Sequence, residues 1–163
     1  MRISKLALAL VLLSTQFLFQ ACSGRTDNSN TANVAQTNAA NTQSSTKDNV
    51  EELLMLVRLP FEPEEAVFQE TPEHKKLIAV IRFSPEDATK MTAEVGKVGQ
   101  GSPETVSVED WYPVELKAQG ELTGESIVKG QSFSAEPFLT PPYTKGRITR
   151  IENTDYFILQ ISS

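Results

Sequence analysis

Apolar and polar positions divide this chain into three stretches. Residues 6–13 (LALALVLL) form an unbroken apolar run. Residues 23–49 hold one large apolar residue, Val34, among Asn, Thr, Ser, Ala and Gln. From residue 50 onward, apolar residues return in short patterned groups set between Pro, Gly and acidic segments.

The third stretch predicts a folded domain over residues 50–163. Asn49 followed by Glu52 is a helix-start signature: Asn caps, and Glu stands three places later. The apolar run over residues 53–59 is too short for periodicity to separate a helix from a buried strand. The cap favours a helix. Residues 66–70 read as a strand, and Thr71-Pro72-Glu73-His74 carries turn chemistry. Residues 76–83 (KLIAVIRF) give the clearest strand. Leu77, Ala79, Ile81 and Phe83 fall on one face and Ile78 and Val80 on the other, which predicts a central position.

Ser84-Pro85-Glu86-Asp87 opens a helix: Ser caps, Pro takes the first helical place, and the acids suit the positive dipole end. Ala88, Met91, Thr92 and Val95 mark its inner face, and Gly96 ends it. Val106 and Val108 mark a short strand. Residues 111–118 (WYPVELKA) read as a strand in which Pro113 points to an edge or a bulge. Residues 119–146 are rich in Gly, Ser and Pro and give no assignment. Residues 146–151 and 156–161 form a hairpin across Glu152-Asn153-Thr154-Asp155. The sum is a small α+β domain on an antiparallel sheet, with one or two helices.

The first stretch carries a different message. Arg2 and Lys5 precede the apolar run, and Ser14, Thr15 and Gln16 interrupt it before Phe17. A membrane-spanning helix needs about 20 mostly apolar residues, so this layout predicts a secretory signal. Leu18-Phe19-Gln20-Ala21-Cys22 resembles the lipobox of bacterial lipoproteins, with a small residue directly before the cysteine. The resemblance implies cleavage between Ala21 and Cys22 and a diacylglyceryl group on the Cys22 thiol, with a further acyl chain such as palmitate on the new amino group. It makes residues 1–21 a signal peptide, and it implies attachment to a membrane of the bacterial cell envelope, with the face left open. Ser23 stands where an Asp would favour inner-membrane retention, so the resemblance leans toward the outer membrane.

The middle stretch cannot bury enough apolar surface to offset the entropy of ordering it. Residues 22–49 are therefore expected to form a disordered, lipid-anchored linker. A coil of that length spans about 29 Å on average.

Charge and chemistry narrow the function. The whole chain carries −6, but residues 50–163 hold 11 bases against 19 acids, hence −8. Such a domain repels nucleic acid, and none is expected as a partner. Lys145, Arg147 and Arg150 are its densest bases and read as a solvated strand edge. A lone cysteine allows no internal disulfide, and the single histidine, His74, sits in a turn. A zinc site within one chain lacks its ligands. No phosphate-cradling or dinucleotide-binding glycine motif is present, and no cofactor is expected. The acidic run Glu62, Glu64, Glu65, Glu70 and Glu73 lacks the ordered ladder of a calcium loop and reads as a solvated segment.

Three functions remain. The first is a non-catalytic binding domain for an envelope protein, a glycan or a lipid. The second is an envelope hydrolase using paired carboxylates, for example on peptidoglycan, which requires buried acids facing a cleft. The third is an inhibitor or assembly factor acting through an exposed patch of Trp111, Tyr112, Phe138 and Tyr143, aromatics suited to recognition surfaces.

Overall fold

The computed structural model describes residues 45–163. The signal peptide, the Ala21–Cys22 junction and the linker up to residue 44 lie outside the described residues. The folded part is α+β, as expected, with six antiparallel strands. In chain order its elements are α1 (Val50–Leu56), β1 (Glu65–Thr71), β2 (Lys76–Arg82), α2 (Pro85–Gly96), β3 (Ser102–Ser107), α3 (Val114–Thr123), β4 (Ile127–Ser134), β5 (Lys145–Ile151) and β6 (Tyr156–Ser162). The strand order is β1-β2-β6-β5-β4-β3. Among the described residues, no helix is long and apolar enough to cross a membrane.

Local signals account for most of these elements. The Asn49 side chain accepts the Glu52 N–H at 2.9 Å, so the run after it starts as a helix. Ser84 caps α2 in the same way through the Asp87 N–H, with Pro85 in the first helical place. β2 lies between β1 and β6 and is covered on both faces, which explains its unbroken apolar run. The Glu152–Asp155 turn joins β5 to β6, with Asn153 supplying a positive φ of 59°.

The sheet separates two apolar clusters. On the first face Phe68, Leu77, Ile148, Phe157 and Leu159 pack with Leu53 of α1 and Met91 of α2. On the second face Val80, Val128, Ile151 and Ile158 pack with Tyr112 and with Leu116 of α3. The two longer helices thus cover opposite faces.

Two expectations are corrected. Residues 111–118 are not a strand: after the Trp111-Tyr112 turn, α3 begins directly behind Pro113. A proline there is an entry signal, because the first helical turn needs no partner for its N–H groups. Tyr112, Leu116 and Gly120 are buried at a spacing of four, the helical period, and Gly124 ends the helix at φ 73°. The second correction concerns the linker, expected to run to residue 49. Lys47 already pairs with Phe68 of β1 through two backbone hydrogen bonds of 2.9 and 2.8 Å. Its ammonium bridges Glu52 and Glu70, so the folded part begins before Asn49.

Candidate binding face

The aromatic patch expected from Trp111, Tyr112, Phe138 and Tyr143 does not form. Tyr112, Phe138 and Tyr143 are buried, and Trp111 is half-buried. They also belong to opposite sides of the sheet. Trp111 stacks edge-on against Tyr112 over the second face, whereas Phe138 and Tyr143 belong to the first-face core. In a domain of this size the large rings are needed to fill the two cores.

The acidic run is likewise dispersed. Glu64 and Glu65 flank Arg82 at 3.7 and 2.6 Å, and Glu70 bonds Lys47 and the Tyr143 hydroxyl. No carboxylate among the described residues is fully buried, and none of their groups could hold a metal ion through three or more ligands. His74 is exposed, in a short 3-10 turn between β1 and β2.

What the fold does assemble is a polar field on the second face. α3 covers that face around Val80, Val128 and Ile158 and stops there. Two cross-strand rows extend beyond it. One runs Gln69, Ile78, Gln160, Arg147 and Ser134, and the next Thr71, Lys76, Ser162 and Lys145. All of these residues are half-buried or exposed. Together they hold three cations and no acid, in a domain where acids prevail. All but Gln69, Thr71 and Ser134 line a shallow depression of about 490 Å³, together with Leu77, Gly146 and Ile161.

Arg147 is the fixed centre of this field. Its Nε donates to Gln160 Oε1 at 2.8 Å, and its Nη1 meets Glu104 Oε1 of β3 at 2.7 Å. Glu104 is itself held, because its other oxygen lies 3.2 Å from the hydroxyl of Thr149, a residue with no solvent exposure. That hydroxyl also lies 3.2 Å from Ser132 Oγ. One hydroxyl has one proton, so when Thr149 donates to the Glu104 carboxylate it accepts from the Ser132 hydroxyl. The chain from buried Thr149 through Glu104 fixes the guanidinium against the sheet while leaving its side chain half exposed. Its remaining N–H groups can meet a planar anion two at a time.

The sequence could not assemble this field. Its one visible sign is the alternation Lys145, Arg147, Thr149 against Ile148 in β5. Lys76 joins them only because β2 and β5 both pair with β6, at Ser162.

Comparison with known proteins finds no matching family model, no matching curated protein and no matching solved structure.

Proposed function

We propose that this chain is a lipid-anchored bacterial envelope protein whose folded domain binds a partner through the open half of its second sheet face, without catalysing a reaction. The observation that carries the binding role is the exposed pair Lys76 and Lys145 with Arg147 one row inward, held by Gln160 and Glu104, on a part of the sheet that no described element covers. A side chain held in place before contact loses less entropy on binding. The anchoring role rests on the lipobox-like residues ending at Cys22. Acyl chains there partition into a bilayer with about 0.8 kcal/mol per buried methylene, and two or more chains make attachment lasting. The outer membrane is the favoured site, on the strength of Ser23.

The hydrolase reading loses support, since Glu104 is committed to Arg147 and Thr149 and no second carboxylate joins that network. The aromatic-patch reading loses its surface. The anchor is tested by mass spectrometry of the mature N-terminus and by fractionation of Cys22→Ser. A diacylated cysteine, and a Ser variant released from membranes, is the expected result. A bare thiol, or a Ser variant equally membrane-bound, rules the anchor out.

A further inference from the structure

We infer that a second site, between α2, β4 and the β5–β6 turn, binds a free α-amino acid with an apolar side chain, as its zwitterion. The site lies on the first sheet face, opposite the Arg147 field and apart from the partner proposed for it: Arg150 stands two residues from the first-face core residue Ile148 in β5. A hollow of about 280 Å³ is walled there by Thr92, Gln131, Phe133, Arg150, Ile151, Glu152 and Asn153. Arg150 is half-buried, and its Nη1 donates to Thr92 Oγ1 at 2.8 Å. The Thr92 hydroxyl in turn donates to Ala88 O at 2.8 Å, so its proton is committed and a lone pair meets the guanidinium. Arg150 is therefore held in place by a neutral group. Among the described residues the arginine ion pairs are those of Arg82 and Arg147, and Arg150 has none.

Glu152 faces the same hollow two residues further on, is exposed, and forms no ion pair with Arg150 or with any other described cation. An unpaired guanidinium and an unpaired carboxylate around one hollow complement a ligand that carries both charges. The guanidinium fork meets a carboxylate two N–H groups at a time. Glu152 accepts from an ammonium, as do the side-chain amide oxygens of Gln131 and Asn153. The half-buried Phe133 supplies the apolar wall, whereas Ile151 is fully buried. The Phe133 ring abuts Gly101, where an added Cβ would stand 2.6 Å from Cζ, so the ring is fixed on that side. A simple carboxylate would meet Glu152 and the −8 field of the domain, and a simple amine would leave Arg150 unanswered. A zwitterion carries no net charge and escapes both penalties. The hollow stands at the small end of ligand sites, about 300–1,000 Å³, which suits a single amino acid.

The test uses the full chain in detergent micelles, with phenylalanine as the probe and amide chemical shifts as the readout. Phenylpropionate lacks the ammonium, phenethylamine the carboxylate and glycine the ring. Phenylalanine is expected to bind about fivefold or more tightly than each, with the backbone amides of residues 150–153 shifting. Two variants separate the charges. Glu152→Gln, at an exposed turn position, is expected to erase the preference over phenylpropionate and keep that over phenethylamine. Arg150→Gln is expected to do the reverse. Should Arg150→Gln lose the dispersed spectrum of the fold, Thr92→Val replaces it: it frees the guanidinium, and several-fold weaker binding of phenylalanine is expected. Equal or tighter binding of phenylpropionate, phenethylamine or glycine by the parent overturns the inference, and so does no binding of phenylalanine up to its solubility limit. Unchanged selectivity in either charge variant, or unchanged affinity in Thr92→Val, also overturns it by placing the site elsewhere.

Discussion

Gln160 holds Arg147 across the β5–β6 ladder: the two residues are directly paired, and the amide oxygen accepts the guanidinium Nε–H at 2.8 Å. The contact lies at the surface, so its removal should barely change stability. Gln160→Ala is expected to stay within about 0.5 kcal/mol of the parent in urea unfolding. It should nevertheless loosen the guanidinium, whose ion pair with Glu104 then remains, so the Arg147 Nε–H should exchange faster with solvent. Gln160 is thus a positioning residue. Unchanged exchange of the Arg147 Nε–H in the variant would show that Arg147 needs no such support.

Thr149 should be costlier to change. Its hydroxyl is fully buried and lies within hydrogen-bond reach of both Glu104 and Ser132. Thr149→Val keeps the shape and removes the polar atom, leaving Glu104 Oε2 and Ser132 Oγ short of a partner. The expected loss is about 1–3 kcal/mol. Adding Ser132→Ala should restore part of it, since the second unsatisfied group is then gone as well. Simple additivity of the two losses would show that these side chains are not coupled.

Where one residue with its immediate neighbours decides the structure, the sequence was readable. Asn49, Ser84 and Pro85 announce their helices through contacts within one turn. The alternating residues of β2 announce a strand covered on both faces. Pro113 was misread because a proline fits both an edge strand and a helix entry, and only the burial of Leu116 and Gly120 at helical spacing decides between them. Phe138 and Tyr143 were misplaced for a similar reason: recognition surfaces and small cores favour the same aromatic residues. The polar field around Arg147 was not legible at all. It depends on the register of β2 and β5 against β6, and on α3 stopping short of the last two rows.

The three tyrosines predict an alkaline instability. Tyr112, Tyr143 and Tyr156 are the only tyrosines in the chain, and each phenol is pushed up to about 12. Burial is the main cause in each, assisted by Glu109, Glu70 and Glu115 respectively. An unfolded tyrosine titrates near 10. Between these values the native state retains protons that the unfolded state has lost, so stability falls as pH rises. Their stabilising contribution is whole below about pH 10 and gone above about pH 12. Tyrosinate absorbance should therefore rise together with loss of the fold, and at lower pH in urea. A phenol that ionises near pH 10 in the folded chain would contradict the burial described for it.

Lys47 predicts how firmly the chain entering the domain is held. It pairs with Phe68 through the backbone, lies over the Phe68 ring at 5.6 Å, and bridges Glu52 and Glu70. These carboxylates raise its pKa above the ordinary lysine value, chiefly through hydrogen bonds to Glu52 and Glu70. Its contribution is thus present at neutral pH and fades only as pH climbs through that raised value. The side chain is one-third exposed, so the ion pairs contribute about 0.5–1 kcal/mol at most. Lys47→Glu replaces attraction by repulsion among three carboxylates, and residues 45–49 should then detach from β1. Hydrogen exchange at the Phe68 amide, which donates to Lys47 O, reports this locally. Faster exchange there, with the β2 and β6 amides unchanged, is expected, because those strands are paired on both sides and do not depend on Lys47. Unchanged protection at Phe68 would mean that the backbone pairing alone holds the segment and that the ion pairs are incidental.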